Sequence, residues 1–362
     1  MKKIFIELTG THCSKLIMEL NQLKNWIEKN EHLIVDNKES SDIIVLGTCG
    51  FDQFQEDSAL KEIKELSRSD KEIIIYGCLV KINLDKVIKA TKSMKKLHLV
   101  GPDMTKLMNV IDYTKPSSDL SSSLILEGSK KAFIDTGNGC TNNCSYCAVK
   151  FARPFKSRKL SIIKKEVKDF LAKGCEHIVL VSEDVGSYGI DHNKDLRDLI
   201  NYLLFNPISH VSFSNIYPGK LITFKSDILR LIKADKLKSV HISLNSQNSR
   251  VLNLMNRKYD LNKVVSFIKK LRKESSEIRI TTDIIIGFPT ETDEEFLDSL
   301  KNLDLFDKVS FTLYSERPNT ASGKIFPKVP KSKILQRLEL VKKMAQKNKN
   351  FSLELIRIES NK

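Results

Sequence analysis

The sequence predicts an α/β protein built from two parallel-sheet parts, on three observations. Short apolar strands alternate with amphipathic helices through residues 1–112. A serine-rich stretch, Pro116-Ser-Ser-Asp-Leu-Ser-Ser-Ser123, then breaks the pattern. From residue 131 the alternation resumes with longer periods. Short apolar strands separated by helices imply parallel sheets, and serine-rich polar sequence between patterned regions reads as a linker. The expected division is 1–112, an N-terminal open parallel-sheet α/β domain; 113–128, a linker; 129–330, a second strand–helix domain; and 331–362, a basic helix and tail.

In the first part Ile4–Leu8 reads as a strand and Ser14–Asn30 as a helix. Asp42–Thr48, Glu72–Tyr76 and Leu97–Val100 read as further strands. Helices are expected from Gln53 to Ser67, from Leu84 to Thr91 and from Thr105 to Asp112. In the second part, strands are expected at Ala132–Thr136, Ile178–Ser182, Val211–Ile216, Val240–Leu244, Ile278–Ile286 and Val309–Tyr314. Helices between them include Leu160–Lys173, Leu196–Phe205 and Asn262–Lys273. Six strand–helix units are too few for a full eight-stranded barrel.

Six of the seven cysteines form two trios. Cys140, Cys144 and Cys147 make a C-x3-C-x2-C loop behind Gly137 and Gly139. Three thiolates on one short loop can hold a cubane iron–sulfur cluster by three of its four irons, leaving the fourth open for chemistry. A zinc site and chance spacing are the other readings. Structural zinc usually shows two C-x2-C pairs or a histidine partner, and neither is present here. Cys13, Cys49 and Cys78 each follow the carboxyl end of a predicted strand, where open parallel sheets bind their ligands. They can converge on one cluster; three unrelated core cysteines are the alternative. Cys175 lies between a helix and a strand and reads as a small buried residue.

The Cys140–Cys147 loop resembles the signature of radical-SAM enzymes. The settings of the other trio, in Thr-Gly-Thr-His-Cys13, Leu-Gly-Thr-Cys49-Gly-Phe and Ile-Tyr-Gly-Cys78-Leu-Val, resemble the methylthiotransferase family within them. The resemblance runs from residue 1 to about 345. It implies an N-terminal open parallel-sheet α/β domain binding one cluster, followed by a partial (β/α)6 radical-SAM barrel. It also implies two [4Fe-4S] clusters and S-adenosyl-L-methionine. In this family one cluster cleaves that cofactor to an adenosyl radical and the other supplies sulfur. The methylthio group goes to an adenosine beside the tRNA anticodon or to a ribosomal-protein aspartate.

Further motifs lie at strand ends, where parallel barrels carry function. Ser182, Glu183 and Asp184 resemble the family segment facing the methionine part of the cofactor. His241-Ile-Ser-Leu-Asn245-Ser246-Gln-Asn-Ser249 is similar to the family's His-x-Pro-x-Gln-Ser-Gly-Ser, with Ser243, Asn245 and Gln247 as departures. Met255-Asn-Arg257-Lys-Tyr259 matches Met-x-Arg-x-Tyr, and Asp283 opens the segment Asp-Ile-Ile-Ile-Gly287-Phe-Pro289. The resemblance makes Ser182, Glu183, Asp184, Asn245, Ser246, Arg257 and Asp283 candidate cofactor contacts. Arg153 and Arg158 resemble a family Ala-Arg-Gly segment, with Pro154 in place of glycine. Thr292 and Glu295 form a helix-capping pattern. The family's usual C-terminal RNA-binding β-barrel is expected to be lacking, since few residues follow the basic helix.

The net charge of +15 is uneven: residues 1–125 hold 18 basic and 18 acidic side chains, so the excess lies beyond them. A polyanionic partner at the C-terminal half fits this; a lysine-rich surface is the plainer reading. No run approaches the ~20 apolar residues of a membrane span. Clustered thiols without an export signal point to the reducing cytoplasm. The expected partners are tRNA or a protein or peptide substrate, an electron donor of flavodoxin or ferredoxin type, and a sulfur donor. A non-catalytic iron–sulfur sensor is the third reading, and it would not need the strand-end motifs.

Overall fold

A computed structural model describes residues 1–10, 13–115, 121–125 and 128–347. The chain divides into two compact units. The first comprises 1–124, 147–154 and 316–319; the second comprises 125–146, 155–315 and 320–362.

The first unit has a five-stranded sheet in the order β2-β1-β3-β4-β5, from β1 (Lys3–Leu8), β2 (Leu33–Ile34), β3 (Ile43–Thr48), β4 (Glu72–Gly77) and β5 (Leu97–Val100). Every pairing is parallel. Strands β3 and β4 read Ile-Ile-Val-Leu-Gly-Thr and Glu-Ile-Ile-Ile-Tyr-Gly because both their faces are covered. Helices α1 (Ser14–Lys29) and α5 (Met104–Ile111) cover one face, burying Leu16, Leu23, Trp26, Leu107 and Ile111. Helices α2 (Gln53–Leu66), α3 (Cys78–Ile82) and α4 (Leu84–Ala90) contribute Ala59, Ile63, Leu79 and Val87 to the other. Helix α6 (Val149–Ala152), far along the chain, sets Ala148 and Ala152 against Cys78 and Ile82.

In the second unit six parallel strands run in the order β14-β13-β12-β11-β10-β7. They are β7 (Lys131–Asp135), β10 (His177–Val181), β11 (His210–Ile216), β12 (Leu237–Ile242), β13 (Arg279–Ile286) and β14 (Lys308–Leu313). These are the six units expected, in sequential order. The sequence reading does not include β6 (Leu124–Ile125) at the sheet edge, or the antiparallel pair β8 (Gly137–Asn138) and β9 (Lys156–Ser157). Part of the serine-rich segment, residues 116–120 and 126–127, lies outside the described residues; β6 falls within the stretch expected to be linker.

Strand positions such as Ile178, Leu180, Val211, Phe213, Val240 and Ile280 pack under α7 (Leu160–Ala172), α8 (Leu196–Leu204), α9 (Pro218–Thr223), α10 (Lys225–Lys233) and, further on, α12 (Leu261–Glu274), while α11 (Ser249–Leu254) packs Val251 and Leu252 against Ile285 and Phe288. Helix α13 (Asp293–Ser299) starts with the expected capping box between Thr292 and Glu295. Helix α14 (Lys331–Lys347) is the expected basic helix. Its Arg337 turns inward and bonds Glu291 at 2.8 Å and Asp293 at 3.0 Å. The predicted tail after it lies outside the described residues.

Candidate cluster and cofactor sites

In the first unit the sheet delivers all three cysteines to its carboxyl edge. Cys13 caps the start of α1, Cys49 directly follows β3, and Cys78 opens α3 after β4. Cys49 and Cys78 are buried, and Cys13 is partly so. Gly77 makes the last approach possible. It sits at φ +122°, and a Cβ there would lie 2.2 Å from the Thr48 carbonyl oxygen. Thr48 Oγ1 donates to Tyr76 O at 2.9 Å, tying the two strand ends. Gly77→Ala should therefore cost about 1–3 kcal/mol through backbone strain. The expected readout is a lower melting temperature with less iron bound per chain.

The thiols sense each other. A hydrogen bond with Cys13, then burial, raises the Cys49 pKa well above its ordinary value, and nearby Cys78 adds to this. Burial pushes the Cys78 thiol up to about 12, against the pull of Arg153. Buried, mutually repelling thiols ionise only against a strong cation, and a ferric–ferrous core is one. The donor set therefore fits a cluster. Among the described residues no three Cys, His, Asp or Glu side chains close tightly enough around one ion; a cubane places each thiolate on a different iron and takes a wider spacing.

Arg153 lies beside Cys78 of this trio. Its Nη atoms bond both Glu19 oxygens at 2.5 and 2.7 Å, and its Nε reaches Cys78 Sγ at 3.2 Å. Arg158, by contrast, pairs with Glu166 and the Asp135 carbonyl and braces the second unit.

In the second unit β7 ends at Asp135, and Gly137 follows at φ +150°, where a Cβ would lie 2.5 Å from Lys156 O, closer than any side chain allows. Cys140 and Cys144 follow. Cys140 Sγ accepts from Asn142 N at 3.3 Å and Nδ2 at 2.9 Å. Burial, then the Asp184 carboxylate, pushes its thiol to about 12. The loop is pinned through Ser145, whose N and Oγ donate to Met255 O and Leu254 O at 2.9 and 2.8 Å. Cys144 is buried with Arg257 Nη1 3.3 Å from its sulfur. Cys147, three residues on, packs as part of the first unit.

Of the predicted strand-end residues, Asp184 organises the loop. It accepts from Ser187 Oγ at 2.6 Å, Asn142 Nδ2 at 3.0 Å, Gly186 N at 3.1 Å and Tyr217 N at 2.9 Å. Ser182 Oγ is buried without a hydrogen-bond partner among the described residues, so it is available to a ligand. Glu183 is half-buried, and its carbonyl accepts from Asn215 Nδ2.

Arg257 is 4 % exposed and lies over the rings of Tyr217 and Tyr259, 4.8 and 5.7 Å from their centroids. It donates to the Ser243 carbonyl and to Tyr146 Oη, while its buried Nε has no hydrogen-bond partner among the described residues. Asp283 accepts from His241 Nε2 at 3.0 Å and from Asn245 Nδ2. Burial alone would raise the Asp283 carboxyl, but His241 and Arg257 hold it below its ordinary value. Asn245 adopts φ +64° and also accepts from Tyr146 Oη. Ser246 is fully buried and bonds Ser299 at 3.0 Å, away from the Asp283 group.

The structure thus joins Asp283 and Asn245 through Tyr146 to Arg257, which meets Cys144, and joins Asp184 with Cys140 through Asn142. Tyr146, Tyr217 and Asn142 were not singled out from sequence. Only their closeness to the cysteines or to the Met-x-Arg-x-Tyr segment marks them.

The chain matches two family models: the Radical SAM superfamily over residues 134–303, and the Uncharacterized protein family UPF0004 over residues 3–98. It is 28% identical to the ribosomal protein uS12 methylthiotransferase RimO of Alkaliphilus oremlandii, a match covering 94% of this chain and 82% of that one. It is also 28% identical to a tRNA-2-methylthio-N(6)-dimethylallyladenosine synthase of Clostridium perfringens, covering 99% and 86%. A third relative at 28% identity is a probable threonylcarbamoyladenosine tRNA methylthiotransferase of Pyrococcus horikoshii, covering 94% and 84%. The fold is shared with the radical S-adenosylmethionine methyltransferase TsrM of Kitasatospora setae at a TM-score of 0.64 and 13% identity, over 95% of this chain and 75% of that one. Fold and cysteine loop define a radical-SAM enzyme. Within that class, the chain belongs to the methylthiotransferase family.

Proposed function

We propose that this enzyme transfers a methylthio group to an unactivated C–H carbon, on a hypermodified adenosine next to the tRNA anticodon. The observation that carries the reading is the pair of cysteine trios at strand carboxyl ends. Cys13, Cys49 and Cys78 would hold one [4Fe-4S] cluster, and Cys140, Cys144 and Cys147 the other. Bound there and reduced, the second supplies the electron that cleaves S-adenosyl-L-methionine to a radical able to take the substrate hydrogen, while the first supplies sulfur for methylation by a second S-adenosyl-L-methionine.

The chain's own side chains bind and orient. Arg257, sandwiched by tyrosines and fixed beside Cys144, presents a buried cation suited to a carboxylate. Asp283, held ionised by His241, and the free hydroxyl of Ser182 can take the ammonium and hydroxyl groups of the same cofactor. Asn245 positions Asp283, Asp184 shapes the cysteine loop, and Glu183 borders it. Residues 1–112 act as the cluster-binding domain, 129–330 as the catalytic barrel, and 331–362 as a basic extension. The basic excess beyond residue 125 supports an RNA substrate, as do relatives named for tRNA. A flavodoxin or ferredoxin would serve as electron donor, with a separate sulfur donor, in the cytoplasm. No helix of the described residues is long and apolar enough to cross a membrane.

A protein or peptide side chain is the second reading. It is favoured by Thr48-Cys49-Gly50-Phe51, which resembles the ribosomal-protein branch, and by a relative named for uS12. Mass spectrometry of nucleosides from total tRNA of a strain lacking the gene decides between them. Loss of a methylthio-adenosine, restored by complementation, is expected. An unchanged profile would transfer the reading to protein, where a methylthio mass increment on peptides would be sought.

A further inference from the structure

We infer that Arg153 is a positioning residue for the cluster on Cys13, Cys49 and Cys78: gripped by Glu19, its guanidinium hydrogen-bonds the Cys78 sulfur and holds that cluster's reduction potential up. The inference rests on the two-cluster reading above.

Arg153 is 3 % exposed and Glu19 6 %, so both charges are buried. A buried ion pair is close to neutral for stability, because desolvation offsets the attraction. Its place at a ligand sulfur therefore asks for another reason. The guanidinium presents five N–H donors in a rigid fork. Two arms close on the Glu19 carboxylate, which fixes the plane, and Nε then points at Cys78 Sγ, 3.2 Å away. A lysine offers no such division of donors.

Both partners are held by the fold. Glu19 lies on α1, the helix that Cys13 caps, and α6 brings Arg153 in by packing Ala148 and Ala152 on Cys78 and Ile82. Hydrogen bonds to the sulfurs and local net charge set the potential of iron–sulfur clusters. Reduction adds one negative charge to the cluster. A cationic donor on the sulfur favours the reduced state, and the nearby carboxylate opposes it.

The test uses the full chain carrying Cys144→Ala, so that the barrel loop no longer holds iron. Iron and sulfide are counted, and the remaining cluster is titrated by EPR-monitored reduction. Adding Arg153→Gln should lower the midpoint, and adding Glu19→Gln should raise it. Opposite shifts with iron retained support the inference. Unchanged midpoints overturn it, as do shifts of the same sign, which general loosening would give. If Arg153→Gln loses its iron, Arg153→Lys keeps the charge without the fork; a smaller fall supports the inference and an unmoved midpoint overturns it. A Cys144→Ala chain with no iron at all would instead sink the two-cluster reading.

Discussion

Cys144→Ala should bring S-adenosyl-L-methionine cleavage down to the enzyme-free background, whereas Cys49→Ala should leave cleavage intact and stop methylthio transfer. The asymmetry follows from placement. Cys144 belongs to the loop pinned by Ser145 and lies beside the candidate cofactor groups Arg257, Asn245 and Asp283. Cys49 sits at the edge of a different sheet, in a unit with its own core. On the proposed assignment, losing one of three ligands would remove a cluster, and each cluster would supply one half of the chemistry. The measurement follows 5′-deoxyadenosine and methylthiolated product in parallel under reducing conditions. Product from Cys49→Ala at the parent level would end the assignment of sulfur transfer to the first trio. Loss of both activities there would mean that the two halves are coupled.

How much of this was legible in the sequence varies with range. Strand runs such as Ile43–Thr48 and Glu72–Gly77 declare themselves because both faces are buried, and their ends placed Cys49 and Cys78 within a residue. The helices expected at Ser14–Asn30 and Leu160–Lys173 are equally plain from their period and run from Ser14 to Lys29 and from Leu160 to Ala172. The start of α3 at Cys78 was missed, because a five-residue helix carries too little periodicity to read. The left-handed Asn245 was also missed, because one residue's φ leaves no pattern. Most of all, nothing local says that Arg153 will meet Glu19, 134 residues away, or that Arg317 will meet Glu56 across 261. Those pairings depend on which segments fold back into the first unit, and that is decided by tertiary packing. Asp184 shows the same limit: its motif marks it as a candidate cofactor contact, and the fold gives its oxygens four donors, from Asn142, Gly186, Ser187 and Tyr217.

Arg317 and Glu56 lead to the largest expected effect on stability. Glu56 lies on α2 with its side chain fully buried, and Arg317 returns to the first unit after β14. They bond at 2.8 Å, with Gln53 Oε1 taking Arg317 Nη2 at 2.6 Å. Asn83 and Lys86 reach the same carboxylate at 3.0 and 2.5 Å. Glu56→Ala would strand a buried guanidinium, and removing one partner of such a pair costs about 3–5 kcal/mol. Thermal unfolding should show the first unit melting on the order of 10 °C lower. The double variant Glu56→Met with Arg317→Met should recover much of the loss, because it leaves no buried charge unpaired. A double variant as unstable as the sum of two singles would show that the charges themselves sustain the fold. The pair also gives an acid limit. Burial would raise the Glu56 carboxyl, but Lys86, Asn83 and Arg317 hold it below its ordinary 4.5. A carboxyl depressed by folding stabilises above its unfolded value and loses that contribution as pH falls through its folded one. The first unit should therefore keep its full stability at neutral pH and weaken below about pH 4.5, and in the Glu56→Met, Arg317→Met double variant that acid step should shrink.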